Sequence, residues 1–349
     1  MKVTTAPFGE LDGQPVIAYT LKNRQGFEVT CLNYGCIITR IMAPDADGRF
    51  ENVVLGFERI EDYIEHSPYF GAVIGRVAGR IKDGRFELDG EAFHLPQNEG
   101  TTHLHGGNKG FSRRIWNSKI IKKEGAAGVE FRYTSPDGEE GYPGRVDMTV
   151  VYWLTEDNVL TIAYEGVTDR PTLLNVTNHS YFNLSGDAKR DVLRHVLTMK
   201  SDRFLELDAS LLPTGRMLDV AGTPFDFRAG RYLEDGVKST HEQNRLVGHG
   251  YDHPFVLSEN RNREIVLTDE ESGRKLIVET DEPGVVLYTS NQLKGDFKVW
   301  GKPVRPYLGV CLETQHLPDA VHHPEFPSIV LTPGEIYRST TRYAFCTLK

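Results

Sequence analysis

Apolar and polar residues alternate along much of this chain with a period of two. Residues 129–133 (Val-Glu-Phe-Arg-Tyr) alternate fully and residues 27–32 in part, as strands with one buried face do. Residues 85–88 and 91–95 flank Asp89-Gly90, a pair that accepts positive φ and so predicts a tight hairpin. Two β-rich segments, 146–154 and 159–167, are joined by Thr155-Glu156-Asp157-Asn158, which predicts a second hairpin. Residues 264–267 and 275–278 repeat the design across an acidic turn with Gly273, and 285–289 and 336–345 add two strands. Helical periodicity is scarce; its best candidate is 58–64, which stops before Pro68. Turn signals recur over nearly the whole length, without a Pro/Ser-rich linker, a compositional break or an internal repeat. This predicts an all-β fold, a large antiparallel sandwich or barrel, built as one domain over residues 1–349.

Composition narrows the function. The 349 residues are 39% hydrophobic and 26% charged, with 34 glycines and 18 prolines, which suits a turn-rich globular chain rather than a disordered or fibrous one. Lys and Arg number 40 against 49 Asp and Glu, a net charge of −9 with no basic patch, so nucleic acid is not expected as a partner. The first ten residues lack the apolar segment of a signal peptide. The longest stretch free of charged residues, 171–186, is short and polar for a membrane span. Four cysteines (Cys31, Cys36, Cys311, Cys346) form no CxxC pair, and their apolar neighbours predict buried thiols. These features together predict a cytoplasmic protein with no membrane partner.

Four polar clusters interrupt the apolar pattern. In Gly75-Arg76-Val77-Ala78-Gly79-Arg80-Ile81, either arginine could face a cavity among small residues or lie on the surface. In Thr101-Thr102-His103-Leu104-His105-Gly106-Gly107, a strand would put both histidines on one face at a metal-ligand spacing. The glutamate a metal hairpin wants is replaced by Asn108-Lys109-Gly110, so a histidine donating to a small ligand and an ordinary loop histidine are the readings left. Residues 175–184 (Asn-Val-Thr-Asn-His-Ser-Tyr-Phe-Asn-Leu) carry so many hydrogen-bonding side chains that they form a network or line a wet cleft. In residues 308–319, Glu313 follows an apolar run where an unpaired charge is costly, which makes it a candidate base or half of an ion pair. Asp252, in Gly250-Tyr251-Asp252-His253, is a second loop carboxylate. No Walker loop, strand-linked GxGxxG or GxSxG is present, and carboxylate plus imidazole points to proton transfer.

Taken in order, Leu104-His105-Gly106-Gly107, residues 177–184 (TNHSYFNL), residues 223–228 (TPFDFR) and residues 313–320 (ETQHLPDA) resemble the aldose 1-epimerase (galactose mutarotase) family. Further matches at 54–57, 69–81, 212–215, 250–253 and 283–289 extend the resemblance over nearly the whole chain. The resemblance implies a one-domain β-supersandwich acting on a free monosaccharide with neither metal nor organic cofactor, and leaves monomer and homodimer both open. It implies Glu313 and His179 as the catalytic pair and Arg80, His105, Asp252 and Tyr181 as sugar contacts. On that reading Glu313, with an ordinary carboxylate pKa of about 4.3, is the base on the C1 hydroxyl. His179 is then an imidazolium acid toward the ring oxygen, its pKa held up by nearby carboxylates. The rival readings are a glycoside hydrolase using Glu313 and Asp252, a non-catalytic sugar-binding protein, and an enzyme of hexose 6-phosphates, which needs basic residues beyond Arg76 and Arg80. The chain departs from the family pattern at Val286, where a glutamine reaching the sugar is usual, and at Thr102, Gly79 and His322, where asparagine is common.

Overall fold

In the computed structural model, which describes residues 1–258 and 265–348, nearly half of the chain is antiparallel strand and little of it is helix. The largest sheet has nine strands. Its centre is the run Ala126–Ser135, Val146–Thr155, Val159–Thr168, Tyr337–Thr347 and Arg274–Thr280. Along Val146–Thr155 every second residue is buried, so the alternation read from sequence is the pleat itself. The hairpin at Asp89-Gly90 pairs Arg85–Leu88 with Glu91–His94, and Val146–Thr155 pairs with Val159–Thr168 as expected. The pair Ile265–Asp269 and Arg274–Thr280 forms too, while Glu264, the expected first residue of its first strand, lies outside the described residues. The helix expected at 58–64 is Ile60–His66, stopping before Pro68.

A second sheet of six strands carries the chemistry. Its order is Tyr181–Phe182, Val310–Gln315, Gly284–Tyr288, Asp252–Val256, Arg203–Leu207 and Pro213–Asp219. Val310, Leu312, Val285, Leu287 and Phe255 belong to a large apolar cluster, which gathers side chains from Tyr19 to Phe345. The opposite face therefore presents Cys311, Glu313 and Gln315 from one strand and Val286 and Tyr288 from the next. A five-stranded amino-terminal sheet begins with Lys2–Leu11 and Gln14–Lys22, joined at Asp12-Gly13. The sequence reading missed this hairpin because its outer strand is mostly exposed, with Val3, Phe8 and Leu11 half-buried at spacings that do not alternate. Asp12-Gly13 was a usable signal of the same kind as Asp89-Gly90.

One expectation is corrected. Cys31, Cys36 and Cys311 are buried free thiols, but Cys346 is exposed, because it lies on the open face of Tyr337–Thr347. Among the described residues no helix is long and apolar enough to cross a membrane.

Candidate active site

Strand register sets out the site. Tyr181 pairs with Cys311, Cys311 with Tyr288, and Tyr288 with Asp252, so these four side chains form one row across the sheet. The next row is Glu313, Val286 and Pro254. Over these rows lies a cavity of about 300 Å³ that Arg80, His105, His179, Tyr181, Asp252 and Glu313 all line. The sequence-expected residues are thus brought together in one place.

His179 and Glu313 face each other, Nε2 to Oε1, at 3.5 Å, and both are buried. The imidazole lies nearly parallel to Tyr181 (5.0 Å, 19°) and Tyr69 (5.8 Å, 22°) and edge-on to His105 (5.2 Å, 80°). The Tyr181 hydroxyl donates to the Pro68 carbonyl, while its ring faces the imidazole. Arg80 makes two hydrogen bonds to Glu99, Nε to Oε2 at 2.6 Å and Nη2 to Oε1 at 2.8 Å. This fork fixes the guanidinium plane. Burial works against its charge, but Asp252, Glu99 and Glu313 outweigh burial and raise its pKa. The Gly79 N–H donates to His105 Nδ1 at 3.1 Å. Burial first, then His179 and Arg80, hold His105 well below the usual imidazole range. Neutral and accepting at Nδ1, the ring carries its proton on Nε2 as a donor.

The protonation expected of the central pair is overturned. Burial pushes Glu313 well above the usual carboxylate value; Asp252 adds to this and Arg80 opposes it. Burial pulls His179 down to about 4. Glu313 therefore does not keep an ordinary pKa, nor do carboxylates hold His179 up. Removing water from both groups costs each charged form more than the neighbouring charges return. Asp252 is itself raised by burial, against the pull of Arg80.

A family model described as aldose 1-epimerase matches residues 18–344. The chain belongs to the aldose 1-epimerase family. Galactose mutarotase of Rattus norvegicus is 42% identical over 350 residues, covering 99% of each chain. Aldose 1-epimerase of Escherichia coli K12 is 36% identical over 339 residues, covering 96% of each. The crystal structure of galactose 1-epimerase from Lactobacillus acidophilus NCFM aligns at a TM-score of 0.89 and 31% identity, over 100% of this chain and 99% of that one.

Set against the usual aldose 1-epimerase pattern, the departures fall in different places. Val286 lies in the cavity wall directly beside Glu313, in an apolar patch with Leu207, Leu211, Pro213 and Pro254. Thr102 donates to the backbone oxygen and to Oε2 of Glu99, so it braces the partner of Arg80. Gly79 has φ of 79°, a region that glycine adopts freely and asparagine next most easily. His322 bonds Asp319 at 2.7 Å and does not line the cavity.

Arg76 does not face the cavity. It is 2% exposed and donates to Ser135, Pro136, Pro143 and Thr172, which makes it a strut between loops. His103 and His105 do not share a strand face, because the backbone turns at His105 (φ 52°). His103 instead bridges the Pro96 carbonyl and the Tyr142 hydroxyl. The polar run 175–184 divides: Thr177, Asn178 and Asn183 tie backbone segments together, while His179 and Tyr181 line the cavity. Glu99, Tyr69 and Tyr288 were missed, since an acidic loop residue and scattered tyrosines give no local signal.

Ligand atoms of His105, His179 and Glu313 lie within 4.8 Å of one another, a donor set that divalent transition metals accept. Ligation through His105 Nε2 would need its proton moved to Nδ1, against the Gly79 N–H. The hydrogen bonding therefore fits a proton donor better than a metal ligand.

Proposed function

We propose that this chain interconverts the α and β anomers of a free aldose of the glucose and galactose class by opening and reclosing the ring. The observation that carries this reading is the buried contact between Glu313 and His179 in a cavity lined by hydroxyl-binding groups. Epimerisation needs one proton removed from the C1 hydroxyl and one delivered to the ring oxygen, and this pair holds one proton to share. With Glu313 ionised and His179 protonated, the carboxylate takes the hydroxyl proton while Nε2 protonates the ring oxygen. The open aldehyde then faces a neutral acid and a neutral imidazole. Rotation about C1–C2 presents the other face, and both protons return.

The burial that overturned the expected pKa values acts on where the shared proton rests. A dry cavity disfavours the ion pair and favours its neutral form, so the proton moves from Glu313 to Nε2 before the ring opens, and the opened state returns the pair to its neutral form. Arg80, fixed by Glu99, and Asp252 and His105 orient the remaining hydroxyls while the intermediate rotates. The same reading takes residues 1–349 as one domain. It also takes the setting as cytoplasmic, on the strength of three buried thiols left unpaired.

The pH profile tests the shared proton. Below about 4, His179 takes a second proton, the pair has no free base, and kcat/KM falls. As pH rises through the raised Glu313 value, the pair loses its only proton and kcat/KM falls again. Initial rates by polarimetry, corrected for spontaneous mutarotation, read both limbs. An acid limb near 6.5 with no alkaline limb contradicts the scheme.

Val286 tests recognition. Val286→Gln places an amide beside the sugar, and one hydrogen bond of about 1 kcal/mol lowers KM for a hexose about fivefold with little change in kcat. An unchanged or higher KM across glucose, galactose and a pentose denies that this wall contacts the substrate.

A further inference from the structure

Among the described residues, the nitrogen of His179 that faces away from Glu313 has one side-chain partner. Its Nδ1 lies 3.5 Å from the sulfur of Cys311, a fully buried residue two positions before Glu313 on the same strand. Period-two geometry puts Cys311 and Glu313 on the same face, so one strand holds both ends of the imidazole. The ring's own backbone carbonyl is a further acceptor, and it already receives the Gly71 N–H at 3.0 Å. Tyr69 and Tyr181 lie nearly parallel to the ring and restrict its tilt, but neither bonds a ring nitrogen.

We propose that Cys311 is a positioning residue that accepts a hydrogen bond from His179 Nδ1–H, so that Nε2 alone gives and takes the proton during anomer exchange. This rests on the functional reading above and adds what selects the working nitrogen. Through the cycle Nδ1 keeps its proton: the ring is an imidazolium with the closed sugar and the Nδ1–H tautomer with the open one. The proton leaving Nε2 goes to the ring oxygen and returns from the C5 hydroxyl on closure, so the count balances. In the resting pair the carboxylic acid of Glu313 then faces a bare Nε2, and no two protons collide across that 3.5 Å contact.

The choice of sulfur has a consequence for acid strength. A carboxylate on Nδ1 would stabilise the imidazolium and raise its pKa. A thiol is a weak, neutral acceptor. Burial, with help from Glu313 and Asp252, pushes Cys311 well above the usual thiol range, so it remains a neutral thiol. It orients the ring without holding on to the proton that must be delivered.

The test uses the full-length enzyme labelled with ¹⁵N-histidine, the His179 signals being identified by their loss in His179→Asn. Wild type is expected to show the Nδ1–H tautomer. Cys311→Ala is expected to lose that preference and to lower kcat about tenfold with KM within twofold. Cys311→Ser, which keeps an acceptor, is expected to restore the tautomer and most of kcat. A wild-type spectrum dominated by Nε2–H overturns the proposal outright, even if the alanine variant does not fold. So does Cys311→Ala with unchanged tautomer and kcat, or equal losses in both variants with the tautomer intact, which marks packing alone. Should Glu313→Gln and His179→Asn retain activity, the functional reading fails instead, and the tautomer of the folded enzyme still judges the Cys311 contact.

Discussion

Glu313→Gln lowers kcat for anomer exchange by about 10²–10⁴-fold while KM stays within a few-fold of wild type, and His179→Asn does the same. The size follows from what each loses: one positioned proton transfer. KM is spared because Arg80, His105 and Asp252, which orient the hydroxyls, remain around the same cavity. The glutamine keeps the shape of the side chain and removes only its proton chemistry. The double variant falls less than the product of the singles, since a donor without an acceptor leaves little to remove. Polarimetry on freshly dissolved α-glucose and α-galactose provides the rates. Near-normal kcat in either single variant would falsify that residue's role.

Arg76→Ala has the largest expected effect on stability, a loss of about 3–5 kcal/mol. This guanidinium donates five hydrogen bonds, three of them to the backbone carbonyls of Ser135, Pro136 and Pro143. Truncation takes a charged donor from each of these carbonyls, leaves Pro136 with the Glu139 N–H alone, and opens a void. For a chain of this length that corresponds to a fall in Tm of about 4–7 °C. Arg76→Lys recovers little, because one ammonium cannot span acceptors arranged for a planar fork. Arg59→Ala, at a surface ion pair, is the control and stays within about 0.5 kcal/mol. Calorimetry in which Arg76→Ala melts like wild type removes its role as a strut.

Much of this was readable along the chain. The hairpins at Asp89-Gly90 and residues 155–158 follow from turn chemistry and alternation, both properties of adjacent residues. Glu313 drew notice because a carboxylate interrupted an apolar strand. The structure puts it on the cavity face of a strand whose other face is core. Local composition did not separate Arg76 from Arg80, for both sit among glycines; only the family resemblance singled out Arg80. One meets loop carbonyls, and the other meets Glu99 over the cavity. Cys311 read as an ordinary buried thiol, because its contact with His179 joins distant parts of the chain.

The sequence by itself determined the all-β class, most of the longer strands and which side chains could move a proton. Those properties depend on residue type and on neighbours one or two positions away. Only the tertiary structure decided where the protons rest. Burial of Glu313 and His179 is a sum over strands far apart in the chain, and that sum pushes both groups toward their uncharged forms.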